Sequence, residues 1–489
     1  SYQRPTMLFA ATHEGVLRAF RVDREKVITV PDGSVAGDEM WSWLPAFNLR
    51  RIRQLKLVTT ARGSYLGGNV VARHIQLQRS PLAPQQNEQM WRAVVAVGAG
   101  EGGSGYFALD VTVPHEPLLL WEITPDHHCW GFGSVANTSG PVCLLTNTFQ
   151  GMGRSTAKPV LGSVYMEKAG VGAEIAVAVI VSGRPPNDSE LQNIGADGDG
   201  KREVYVVAMM TGEVIRKFTL ADMDLTAMTT TVADPDKELG HFWTEPACYS
   251  DAPGQLLSRC FIGDSKGMVW RLDLASLDPK DWKLQWFHDA YSGDDTPAGF
   301  VLPIQSPDRV PILSPPSLAN SGGLPSYIQG TKTGRLVVVY GTGSGVDEAS
   351  VQRHHLVYSV AEMFQIAGGQ AERAEAVRIW YQDLGHHARY IGPPLIFDSN
   401  AYWASYTVSS TGACAVGAAQ IWAGRFDQRR SITQVDRLIG GFPHPGKPND
   451  LNAAYDRISI GNLKPSPVDI QPVPGCVAGC APGDFTCYS

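Results

Sequence analysis

No stretch of the 489-residue chain approaches the roughly 20 consecutive apolar residues that a membrane-spanning helix needs. Long runs of one charge sign are missing too. The 41 basic and 48 acidic residues are dispersed and give a net charge of -7, which excludes a nucleic-acid partner held by a dense basic patch. No amphipathic helical block exceeds a few turns, and 51 glycines and 33 prolines break the chain throughout, so one large all-β body is expected. None of the eight cysteines stands in a CxxC pair, which disfavours a zinc site. The first residue, Ser1, is not an initiator methionine, so a processed or partial product without its N-terminal region is expected.

What the chain does have is a repeated grammar of apolar strand, polar turn with glycine, and apolar strand. It occurs as LFAATHEGVLRAF (Leu8–Phe20), EVYVVAMMTGEVIRKF (Glu203–Phe218) and CFIGDSKGMVWRLDL (Cys260–Leu274). Alternation buries one face of each strand, and a glycine past the turn takes the positive φ of a tight connection, so each copy is a β-hairpin. Repeated hairpins predict a single irregular β-propeller of about seven blades with long insertions between strands.

Further strands are expected at RAVVAVGAG and YFALDV, AVAVIVSG, LVVVYGTGSG with HHLVYSV, and a final set in IWYQDLG, PPLIFDSNAYWASYTV and AAQIWAGRFD. The glycine-rich turn GAGEGGSG is not a phosphate cradle, because no helix follows it and no Lys-Ser/Thr pair closes it. Residues 361–378 read as a polar, loosely helical surface insertion. The propeller is expected over residues 1–440, and residues 441–489, rich in proline and cysteine, as an extended strap.

The cysteines are Cys129, Cys143, Cys248, Cys260, Cys414, Cys476, Cys480 and Cys487. Their even number favours disulfides in an oxidising compartment. Short separations suggest local bridges for Cys129 with Cys143 and Cys248 with Cys260. The tail cysteines are expected to pair with one another or with Cys414. Buried free thiols are the alternative, weakened by three cysteines crowding a tail that has no core.

In order along most of the chain, LFAATHEGVLRAF, EMWSWLP, GAGEGGSGYFALDVTVPHEPLLLWE, FIGDSKGMVWRLDL, VVVYGTGSG, IWYQDLG and ACAVGAAQIW resemble the C-terminal propeller domain of the PilY family. The resemblance implies a non-enzymatic protein at the tip of type IV pili. Such a protein supports pilus assembly with minor pilins and the tip complex, and takes part in surface adhesion and twitching motility, with host or abiotic surfaces as ligands. It implies an extracellular, cell-surface location reached through the periplasm and outer membrane of a bacterium. The family's N-terminal von Willebrand factor A-like region is absent from this chain.

The family also implies calcium, in a loop just before the strand that reads CFIGDSKGMVW. Here that segment is ACYSDAPGQLLSRC, with Asp251 as its one carboxylate, too few anionic oxygens for a cation that takes six to eight. A second candidate calcium loop is NIGADGDGKREVYV, where Asn193, Asp197, Asp199 and Glu203 alternate among glycines. Lys201 lies within that alternation and opposes a cation; the other reading is an Asp-Gly turn that opens a strand.

Two readings from other classes stand beside this one. Quinone-dependent dehydrogenases are tryptophan-rich propellers, but their regular tryptophan repeat is missing. A carbohydrate-binding lectin would use exposed rings, with Tyr402 and Trp403 as candidates, although both fit a blade core. The pairs His127–His128, His354–His355 and His386–His387 are poor metal ligands, because adjacent strand residues point to opposite faces. No serine stands in a nucleophile elbow, so no catalytic residue is expected.

Overall fold

The computed structural model describes residues 5–22, 35–49, 66–79, 91–131, 141–168, 170–185, 200–228, 232, 234–250, 256–292, 301–304, 306–322, 324, 332–343, 354–367, 370–385, 388–397, 399–407, 418–428, 456–459, 463–465 and 470–472. Strand accounts for 54% of the structure and helix for 5%, so the fold class is all-β as expected. The chain divides into two compact units. One comprises residues 1–224, 241–260 and 271–285; the other comprises 225–240, 261–270 and 286–489.

In the first unit, Trp91–Gly98 and Tyr106–Asp110 lie centrally in a six-stranded antiparallel sheet with Val70–Gln76, Leu118–Ile123, His127–Trp130 and Val142–Leu145. The run AVVAVG at residues 93–98 is apolar and buried at every position because both faces of its strand are covered. Val94 and Ala96, with Tyr106 and Ala108, join a core shared with Ala176, Ala178, Ile180, Tyr205 and Val207. Val95 and Val97, with Phe107 and Leu109, face Leu17, Trp41, Trp43 and Phe47. Period-two alternation thus places this sheet between two others: Met7–Ala11, Leu17–Arg21 and Glu39–Trp43 on one side, and Val160–Lys168, Val171–Val181, Val204–Ala208 and Val214–Phe218 on the other. The hairpins expected at Leu8–Phe20 and Glu203–Phe218 are both antiparallel pairs.

A further five-stranded sheet is formed by Met223–Asp224, Lys283–Asp289, Met268–Asp273, Arg259–Gly263 and Ala247–Tyr249. In the second unit Leu336–Gly341 pairs with Leu356–Ala367, as the sequence suggests. Their sheet shares a core with Ala388–Phe397, Asn400–Thr407 and Ala418–Arg425, in which Val337, Val339, Ile379, Tyr390 and Trp403 are buried.

The helical expectation for residues 361–378 is corrected. Residues 361–367 and 370–378 lie in two long antiparallel strands, Leu356–Ala367 and Gln370–Asp383, with Met363 opposite Glu375. Ala361, Glu362 and Met363 are all buried, which no one-sided surface helix would give. Here pairing with a buried neighbour strand overrides the helix propensity of Glu and Ala.

Candidate functional site

Two elements carried by the sequence motifs are fastened to each other. The Trp41 indole N–H donates to the Pro114 carbonyl at 2.7 Å, and the Glu122 carboxylate accepts the amides of Ala46 at 2.9 Å and Phe47 at 2.8 Å. Burial pushes the Glu122 carboxyl up from its ordinary range, and the two amides work against that rise. The blocks EMWSWLP and YFALDVTVPHEPLLLWE are therefore one structural unit, which sequence order alone does not show.

The glycine-rich turn uses its backbone donors internally. Gly105 donates to the Ser155 hydroxyl at 2.8 Å and Gly100 to the Ser155 carbonyl at 3.0 Å, so these amides are not arranged around an anion.

Five buried or half-buried aspartates mark strand ends. Asp110, Asp264, Asp273, Asp289 and Asp383 each accept the amide two residues on, from Thr112 at 2.8 Å, Lys266 at 2.8 Å, Ala275 at 3.0 Å, Tyr291 at 2.9 Å and Gly385 at 2.8 Å. An aspartate that bonds its own backbone two residues ahead turns the chain out of the strand. Asp264 is the most completely used of these, because it also accepts the Met268 amide and the Trp270 indole N–H, both at 2.9 Å. Its turn needs Gly267 at φ 81, a value that disfavours any side chain. The signal was present in the sequence as one Asp closing each apolar run, but it does not distinguish a turn from a functional carboxylate.

In the second unit Asp289 pairs with the buried Arg309, which also donates to the carbonyls of Lys266 at 2.8 Å and Leu302 at 2.9 Å. Burial nevertheless raises the Asp289 carboxyl to about 6, against the pull of Arg309. Beside it, His288 Nδ1 lies 2.6 Å from the Tyr340 hydroxyl, and burial drives this imidazole down to about 3.

Of the expected calcium ligands, Asn193, Asp197 and Asp199 lie outside the described residues, as does Asp251. Glu203 is buried with both carboxylate oxygens engaged: one accepts the Tyr205 hydroxyl and the other pairs with Lys217 at 3.0 Å. Gly151 permits this arrangement, since a Cβ there would lie 2.2 Å from the Glu203 carboxyl carbon. Glu203 therefore does not fit a cation-binding set in this conformation. Among the described residues, no group of three or more His, Cys, Asp or Glu side chains converges as a metal site would.

Disulfides join Cys129 to Cys143 and Cys248 to Cys260. Cys414, Cys476, Cys480 and Cys487 lie outside the described residues, as does the expected boundary at residue 440. The histidines of each described pair go separate ways: His127 meets Asp126 at 2.8 Å and His128 meets the Thr211 carbonyl at 2.8 Å. His354 meets Asp383 at 3.0 Å, while His355 is buried near the Thr342 carbonyl. His386 and His387 fall outside the described residues. Trp403 is core, stacked on Trp380 at 5.3 Å with its N–H on Gln382 at 2.8 Å, and Tyr402 is half-buried.

No family model matches the chain. It is 20% identical over 366 residues to the type IV pilus biogenesis factor PilY1 of Pseudomonas aeruginosa strain UCBPP-PA14, covering 72% of this chain and 24% of that protein. It is 23% identical over 212 residues to a PilY1 homolog of Xylella fastidiosa strain Temecula1, covering 42% of this chain and 11% of that protein. The chain thus spans a quarter or less of the length of these relatives. The crystal structure of the Pseudomonas aeruginosa PilY1 C-terminal domain matches with a TM-score of 0.52 at 16% identity, over 94% of this chain and 88% of that one.

Proposed function

We propose that this chain, a C-terminal domain of the PilY family in sequence and in fold, works as a non-enzymatic component of type IV pili at the bacterial cell surface. In this reading it sits at the pilus tip, binds minor pilins, and supports pilus assembly, adhesion to surfaces and twitching motility. The observation that carries the reading is that sequence similarity to pilus biogenesis factors and likeness of fold fall on the same stretch of chain. Packing supports a binding role. A sheet whose central strands are buried on both faces forms a frame, and loops on such a frame vary without disturbing the core.

Any calcium the protein takes up is proposed to be held by Asn193, Asp197 and Asp199, with Glu203 left in its ion pair. Mass spectrometry of sheared pili, from cells with and without the gene, tests the main reading. The chain is expected in the pilus fraction, and its loss is expected to lower pilus number and surface attachment. Absence from pili together with unchanged attachment would overturn it.

A further inference from the structure

The six-stranded sheet ends in a strand that contributes almost nothing to the core. In Val142–Leu145, Val142 is 46% exposed, Leu144 56% and Leu145 80%, and Cys143 is exposed as well. Hydrophobic burial therefore does not hold this strand in place. Its neighbour His127–Trp130 is firmly held: Cys129 is buried, Trp130 packs on the core, and the His128 ring lies 5.0 Å from that of Trp130 and bonds the Thr211 carbonyl at 2.8 Å. Past the edge strand, Thr146 donates to the Asp126 carbonyl at 2.9 Å and Phe149 is buried, so the chain is anchored again there.

The register sets Cys143 directly opposite Cys129 with Cα atoms 4.0 Å apart. That spacing marks a non-hydrogen-bonded pair, which leaves the backbone ladder to Val142 with Trp130 and Leu144 with His128. The sulfur bridge is the one covalent tie in the middle of this short ladder. The second disulfide differs in its setting. Cys260 is fully buried in Arg259–Gly263, next to the buried Phe261 and Ile262, and Cys248 is half-buried.

We propose that Cys129–Cys143 is a redox latch: a dithiol reductant opens it, frees Val142–Leu145 from the sheet and bares the backbone edge of His127–Trp130, while Cys248–Cys260 resists the same reductant. The thiolate of the dithiol attacks Sγ of the exposed Cys143, and the Sγ–Sγ bond breaks with Cys129 leaving as a thiolate that takes up a proton. The second thiol of the reductant then attacks its own sulfur in the mixed disulfide. This releases Cys143 as a second thiolate, which is protonated, and leaves the reductant as a cyclic disulfide. Two electrons and two protons pass to the protein. Exposure favours attack on this bridge over the buried one. Once the strand leaves, the bared edge carries unpaired N–H and C=O groups.

The test titrates the full chain with dithiothreitol at neutral pH, traps thiols with N-ethylmaleimide, maps them by peptide mass spectrometry, and follows amide hydrogen exchange at each step. Cys129 and Cys143 are expected to be half-labelled at a reductant concentration at least about tenfold below that for Cys248 and Cys260. At that point the amides of His128, Trp130, Val142 and Leu144, the ladder pairs between the two strands, should exchange at least about tenfold faster, with the rest of the sheet unchanged. A Cys129→Ser/Cys143→Ser variant should show the fast exchange without reductant. Reduction of both bridges at one concentration, or selective reduction without faster exchange at the edge, would overturn the proposal. So would a folded double variant with wild-type exchange, and if that variant does not fold, the wild-type titration decides alone.

Discussion

Glu122 accepts the amide of Phe47 across 75 residues of sequence at 2.8 Å, and this one bond fixes where the tryptophan-bearing strand Glu39–Trp43 leaves its sheet. The Trp41 bond to Pro114 closes the same junction from its other side. Both acceptors belong to one motif, while the donors are Trp41 of EMWSWLP and Phe47 just past its end, so the two segments are coupled through geometry.

Replacing Glu122 by alanine leaves the amides of Ala46 and Phe47 without their acceptor in a partly buried junction. The expected cost is about 1–3 kcal/mol in urea unfolding. Glu122→Gln keeps an acceptor oxygen and should cost less. Equal stabilities for wild type and the alanine variant would show that the junction does not depend on this carboxylate.

Strands were legible where alternation and turn glycines act within a few residues. Leu336–Gly341 and the hairpin from Leu8 were readable for that reason, because covering both faces or one face leaves a direct trace in hydropathy. The strand over 361–367 was not, since its Glu and Ala content suits a helix and only pairing with Leu336–Gly341 and Gln370–Asp383 in the folded sheet overrides that preference. For Glu203 the limit of a local reading is related. Its alternation with Asp199 and Asp197 is a local pattern, but its partners Tyr205 and Lys217 are supplied by the folded hairpin. The two disulfides were legible because each joins cysteines close in sequence, at separations of 14 and 12, which lie on adjacent strands.

Stability should respond to acid through two neighbouring groups of opposite sign. The His288 pKa falls from 6.5 to about 3 on folding, so its contribution is present above pH 6.5 and is lost as pH falls toward 3. For Asp289 the pKa rises from 3.8 to about 6, so its contribution is present below pH 3.8 and is lost as pH rises through 6. From pH 6 down to 4 the two offset each other. Removing the imidazole with His288→Asn should therefore leave a protein that gains relative stability as pH falls from 7 to 5, by about 2 kcal/mol against wild type. Parallel unfolding midpoints for the two proteins over that range would contradict this assignment.

The engaged carboxylate of Glu203 separates its structural role from calcium. Glu203→Gln should destabilise the chain by about 1–3 kcal/mol, because Lys217 loses its charged partner in a half-buried setting. Any rise in melting temperature on adding calcium should persist in this variant and disappear in Asp197→Asn/Asp199→Asn. Loss of the calcium response in Glu203→Gln would instead make Glu203 a ligand and require Lys217 to move aside.

The Cys248–Cys260 bridge closes a segment of sequence separation 12 between neighbouring strands, one of them buried at Cys260, Phe261 and Ile262. Cross-linking so short a loop restricts the unfolded chain by about 3 kcal/mol. A Cys248→Ser/Cys260→Ser variant should lose about that amount, and somewhat more because a serine hydroxyl then occupies the fully buried position of Cys260. Non-reducing urea unfolding of wild type and variant measures the difference. A loss under about 0.5 kcal/mol would mean that the bridge does not restrain the unfolded chain, since the buried hydroxyl alone should exceed it.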